Sequence, residues 1–223
     1  MLFAGLFFIE LILLFFLAKI VQKKLSHFFY KRTHSIKVTV YLLALLFFPG
    51  TLIHELAHFL MAGILFVPVH HMELFPKIEE DYVKLGSVTM AKRDPFRRFL
   101  VGIAPFLVGI ALMLGIIFYA IQNNLYSNIA FALLIAYVVF EIGNTMFSSK
   151  QDMDGALELL AAVGFLGLVL FILGLRVPIH PEQIFTPIVI DVFIKGSLFL
   201  LIPLAIDGLL IGLFTLFKHK HHR

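Results

Sequence analysis

His54-Glu55-Leu56-Ala57-His58 places two imidazoles and a carboxylate within one and a half helical turns. On a helix, residues four apart share a face and lie about 6 Å apart along the axis. That spacing allows one zinc ion to be held by His54 and His58, with Glu55 beside them as general base. The chemistry this suggests is metal-assisted hydrolysis. In such a reaction the metal activates a water, and Glu55 takes its proton and later delivers it to a leaving amine.

The motif sits in hydrocarbon-like surroundings. Of 223 residues, 61% are hydrophobic and 14% charged, against about 45–50% and 25% in soluble domains. The composition reads as an integral membrane protein in a lipid bilayer. Ionisable groups are expensive inside a membrane, and those found there usually mark function. The chain has no cysteine, so disulfides and thiolate metal sites are excluded. Its net charge of +4 comes from basic residues flanking apolar segments. This is a membrane-surface pattern and not a nucleic-acid patch.

The elements that must position the motif are spanning helices, each of about 20 apolar residues. Six segments qualify: 2–20, 38–64, 99–121, 128–147, 156–175 and 186–217. The fold class expected is an all-α polytopic membrane protein with about six transmembrane helices. Residues 1–37 form the first helix, kept as an anchor, and a basic interfacial stretch carrying Lys23, Lys24, Lys31, Arg32 and Lys37. Residues 38–175 form the core, and 176–223 the last helix and a basic tail. Pro49-Gly50, one turn before His54, should loosen or kink its helix. Between the second and third segments, Val67–Phe75 and Tyr82–Met90 have strand-like composition around a turn-prone stretch, Pro76 to Asp81. A β-hairpin is expected there, with an edge available for strand addition by an extended peptide.

A catalytic zinc takes three protein ligands and keeps one position open. The histidines lie in the C-terminal half of the second segment. The third segment crosses away and the fourth returns, so the end of the fourth lies on the histidines' side of the membrane. It reads Asn144-Thr145-Met146-Phe147-Ser148-Ser149-Lys150-Gln151-Asp152-Met153-Asp154-Gly155, with two carboxylates where a ligand is needed.

With these motifs the chain resembles the site-2 proteases, intramembrane zinc metalloproteases. That family pairs HExxH with a later Asn-x-x-Pro…Asp-Gly motif whose Asp is the third ligand. His54, Glu55 and His58 match the first motif. Asn144 and Met153-Asp154-Gly155 are similar to the second, and Gly102-Ile103-Ala104-Pro105 with Gly109 to the small-residue pattern opening the family's next helix. The resemblance covers about residues 38–175. The family's Pro after the Asn is Phe147 here, and the Asp-Gly pair is displaced, as in a divergent branch. Counting from Asn144 puts the ligand on Asp152, slightly favoured, and matching Asp-Gly puts it on Asp154. The resemblance implies a Zn²⁺ cofactor, a membrane-associated hairpin and membrane-embedded or membrane-anchored protein substrates. It also implies that Asn144 assists catalysis at substrate backbone or oxyanion. The implied setting is a multi-pass protein of a prokaryotic cell membrane with its active site nearer the cytosolic face. A small excess of Lys and Arg on that side agrees.

Blander readings exist for each feature. His54 and His58 would simply bond neighbouring helices in a non-catalytic polytopic protein, such as a transporter or an inactive protease homologue, though such a scaffold has no need of Glu55. A desaturase needs several histidine clusters, and this chain has one convincing pair. A metalloprotease using a downstream Glu would want Glu141 or Glu158 in a context they lack. Glu141 is expected to face the interior, with a supporting role at the metal as one reading. His70-His71 read as surface residues and the terminal Lys/His/Arg run as an interfacial anchor. Asp191 and Lys195 should pair with each other. Glu10 and Asp207 read as buried acids bonded between helices.

Overall fold

The computed structural model describes residues 2–73, 77–78, 83–84, 87–90, 94–147, 152, 156–174 and 186–220. It is a helical protein. Helix α1 (Leu2–Thr33) is followed by α2 (Ile36–Leu46), α3 (Phe48–Ile64), α4 (Pro95–Gln122), α5 (Ile129–Thr145), α6 (Ala156–Ile172) and α7 (Pro187–Lys220). Of the expected turn from Pro76 to Asp81, Lys77 and Ile78 form a short strand, and residues 76 and 79–81, like Asp154 and the last three residues, lie outside the described residues.

Among the described residues three helices, α1, α4 and α7, are long and apolar enough to cross a membrane, and α2 with α3 forms a fourth such unit bent by 71°. Helices α5 and α6 have 17 residues each, about 26 Å at 1.5 Å per residue. They are shorter than a full span of about 30 Å, and this departs from six equivalent spans. Many outward Phe, Leu and Ile side chains are exposed along these helices.

Two further departures have local causes. Most of the basic stretch after residue 20 continues α1 as its last turns, to Thr33, and Lys37 lies in the first turn of α2. No Gly or Pro interrupts it, and the helix stops only at His34, whose φ of 51° is left-handed. Segment 38–64 is two helices, parted at Phe47. Pro49 falls in the first turn of α3, where its missing N–H costs nothing, whereas inside a continuous helix it would break a hydrogen bond.

The core forms where α1, α4, α5 and α7 meet, around Leu14, Met113, Val139, Ile142 and Leu200. Helix α1 packs along α7, and α5 touches α1, α3, α4 and α7. It is therefore the central strut.

The connection from α3 to α4 carries four short strands. β1 (Val69–Glu73) pairs antiparallel with β4 (Ser87–Met90), and β2 (Lys77–Ile78) with β3 (Val83–Lys84). Both β1 and β4 lie against α3. Val67 is buried with Ala62 and Val101, and Val69 packs on this cluster.

Candidate metal centre

Helix α3 holds His54, Glu55 and His58 on its second and third turns. His58 and Glu55 are buried at 3% and 6% exposure, and His54 is partly so. The imidazole rings stand 4.9 Å apart, nearly perpendicular at 83°. Each Nδ1 is tied to a backbone carbonyl on another helix: His54 to Thr145 O at 2.7 Å, and His58 to Val101 O at 2.8 Å. A carbonyl can only accept, so each Nδ1 carries a proton, which leaves Nε2 as the nitrogen of each ring that can ligate a metal. Metal-ligating histidines are commonly fixed in this way, by a bond from the nitrogen that does not face the ion.

Both Nε2 atoms face Asp152. The distances are 3.5 Å from His54 to Oδ2 and 3.3 Å from His58 to Oδ1. Ligands about 2.0–2.2 Å from a tetrahedral zinc lie about 3.3–3.5 Å from one another. One ligand atom from each of the three residues fits within 4.8 Å of the others. His58 Nε2 is buried without a well-formed hydrogen bond among the described residues. A buried imidazole nitrogen aimed at a carboxylate, with the ring's other nitrogen satisfied, suits a cation between them.

Asp152 reaches this position over a glycine. A Cβ placed on Gly102 would collide with the backbone oxygen of Asp152 and come within 2.8 Å of its carbonyl carbon. Two turns further along α4, a Cβ on Gly109 would strike Met146 Cβ. The two glycines on α4 thus make room for Met146 and Asp152. One turn before Gly102, Arg98 bonds Glu158 at 2.6 Å and fastens the start of α6 to α4. Glu158 therefore serves this ion pair and is not part of the metal cluster.

The other expected residues fall as follows. Asn144 is buried at 3% exposure, and its amide nitrogen donates to Phe140 O and to Asp207 Oδ1, each at 3.0 Å. These bonds lie within α5 and toward α7. They differ from the substrate-facing role that the resemblance implies, because Asp207, fully buried on α7, needs the donor. Gln22 of α1 donates to Asn144 O at 2.7 Å, so this polar junction joins three helices. Glu141 is fully buried and accepts from Gly50 N at 3.4 Å. His70 is exposed and does not join the cluster. Asp191 and Lys195 pair at 2.7 Å, as their spacing suggests.

The sequence reading did not single out Val101, Thr145 or Tyr137. The first two act through backbone oxygens, which no residue type announces. Tyr137 had a signal: Tyr137, Glu141 and Thr145 form a polar stripe at i, i+4, i+8 on a helix whose one other polar side chain is Asn144.

Comparison with protein-family models, with curated proteins and with solved structures finds no match for this chain.

Proposed function

We propose that this protein is an intramembrane zinc endopeptidase of the site-2 protease type, cutting membrane-embedded or membrane-anchored proteins. The observation that carries the reading is the convergence of His54, His58 and Asp152, with both Nδ1 atoms held by carbonyls so that both Nε2 atoms face the carboxylate. Two histidines and one carboxylate are a hydrolytic zinc set that leaves a coordination position free. When bound, zinc would lower the pKa of a water in that position and draw charge from the scissile carbonyl.

Glu55, buried on the same helix, accepts the proton from the attacking water at its carboxylate and returns it to the departing amine nitrogen. Low surrounding polarity strengthens each of these interactions. The β1/β4 pair against α3 offers an unwound substrate segment a strand to bond with, since a helical substrate exposes no free carbonyl until it unwinds.

In this reading α2 and α3 together make one broken span. The six passes are then α1, α2–α3, α4, α5, α6 and α7, with the bilayer thinned around the short α5 and α6. The metal site lies nearer the cytosolic face of a prokaryotic cell membrane.

The test is Glu55→Gln. The purified variant should bind zinc at wild-type stoichiometry and lose about 10²–10⁴-fold in cleavage of a transmembrane reporter. Undiminished cleavage would sink the peptidase reading. Metal binding by a wild-type protein that cleaves no membrane reporter would favour a non-catalytic metal-holding protein.

A further inference from the structure

Helix α5 is bonded to the broken α2–α3 unit at three points with one constant offset. The Tyr137 hydroxyl donates to Leu46 O at 2.9 Å, Gly50 N donates to a Glu141 carboxylate oxygen at 3.4 Å, and His54 Nδ1 donates to Thr145 O at 2.7 Å. The α5 partners are four residues apart, and so are those on the other side. Each pair is separated by 91 in sequence. The two segments therefore run parallel, in register, turn by turn.

Every bond in the ladder satisfies a helix-end group that has no partner in its own helix. Leu46 O belongs to the last turn of α2, Gly50 N to the first turn of α3, and Thr145 O to the last turn of α5. Phe47, at the N-cap of α3, supplies no side-chain cap. In a bilayer such groups cannot turn to water, and leaving one unmet costs several kcal/mol. The break one turn before His54 thus depends on partners from α5, and the buried Glu141 is the one at the N-terminus of α3. A carboxylate there also suits the helix dipole.

We infer that Glu141 is a positioning residue for the metal centre: by holding Gly50 N at the α2–α3 break, it fixes the register of α3 on α5 and so the aim of His54. The inference rests on the metal reading of His54, His58 and Asp152. Gly50 leaves room for the contact, since a Cβ there would strike Thr145 Oγ1 and lie 2.7 Å from Glu141 O. A helix that slips or rotates at the break carries His54 away from Thr145 O and from Asp152.

The experiment compares full-length protein in detergent carrying Glu141→Leu, Glu141→Gln or Tyr137→Phe. Cobalt(II) alone is the probe, titrated by its visible absorption, with helicity followed in parallel. Leucine matches the bulk of glutamate but cannot accept a hydrogen bond, and glutamine still can. Glu141→Leu should weaken cobalt binding about tenfold or more and alter the band shape, while Glu141→Gln stays near wild type. Tyr137→Phe, which deletes one oxygen, should weaken binding by a smaller factor and decides the matter should Glu141→Leu fail to fold. Wild-type affinity and spectrum in a folded Glu141→Leu would overturn the inference, as would a Glu141→Gln as impaired as the leucine variant. Should Glu141→Leu not fold, an unchanged Tyr137→Phe overturns it. A wild-type protein that takes up no cobalt would remove the metal reading and this inference together. Unchanged variants beside a cobalt-binding wild type would remove this inference alone.

Discussion

Replacing Gly102 with alanine tests how Asp152, the proposed third ligand, is held beside the histidines. The added methyl carbon would meet the Asp152 carbonyl oxygen head-on, with the carbonyl carbon at 2.8 Å and Cα at 3.6 Å. These are backbone atoms, so no side-chain rotation relieves the clash. Restoring the carbonyl carbon to an ordinary contact of about 3.5–4.0 Å means a retreat of more than half an ångström. Metal–ligand distances tolerate only about 0.2 Å, so that retreat takes the carboxylate out of coordination range. Overpacking of this kind costs about 1–3 kcal/mol, which at about 1.4 kcal/mol per factor of ten is roughly 5- to 150-fold in metal affinity.

The assay is chelator competition for zinc or cobalt on detergent-purified protein. Gly115→Ala on the same helix is the control. A Cβ at Gly115 meets nothing within 4 Å, so that change should leave metal affinity alone and stabilise the helix by about 0.5–1 kcal/mol. Wild-type metal affinity in Gly102→Ala would refute the reasoning, because it would mean that Asp152 need not sit on α4 to complete the site.

The remaining predictions separate ligands from scaffolding. Asp152→Asn should lower metal affinity by tenfold or more while Asp154→Asn spares it, read by the same competition; the reverse pattern would move the ligand to Asp154. Asp207→Ala strips Asn144 of a buried acceptor and should cost about 1–3 kcal/mol of stability, measured by thermal unfolding in detergent, with metal affinity unchanged. Glu158→Gln loosens a partly exposed ion pair with Arg98. Its stability cost should be below about 1 kcal/mol and shrink further in high salt.

What was legible in the sequence was whatever a residue type declares. The spacing of His54, Glu55 and His58 suggests ligands and a base, and a run of apolar residues suggests a membrane helix. The expectation of alternate crossing was enough to bring Asp152 into consideration. Between Asp152 and Asp154, counting from Asn144 favoured Asp152 only slightly; Asp152 lies beside both histidines with its backbone against Gly102, a contact between residues 50 positions apart that no motif announces. The α2–α3 break was half legible: Pro49 and Gly50 announce a disturbance, but whether it becomes a bend or a new helix depends on what meets the freed groups. Asn144 shows another limit: the motif match suggested a role at substrate backbone or oxyanion, and in the structure its amide nitrogen donates to Phe140 O and to the buried Asp207 of α7.

The site's polar groups divide by origin. The carboxylate and imidazoles that face the metal position are side chains, whereas the groups that aim the imidazoles are carbonyls of Val101 and Thr145. A carbonyl at a helix end is free only because the helix stops there, so the termination of α5 at Thr145 itself supplies the acceptor for His54. Val101 O lies within the second turn of α4, where Pro105 four residues on has no N–H to claim it. The same proline therefore leaves a carbonyl vacant for His58. Pro105 read in the sequence only as part of a small-residue pattern. In the structure it serves the second histidine as the end of α5 serves the first: each removes one helical hydrogen bond and gives the freed oxygen to an imidazole. Substituting Pro105 with alanine would supply a competing N–H to Val101 O, so a residue that touches no ligand would be expected to loosen the aim of His58 while strengthening the helix that carries it.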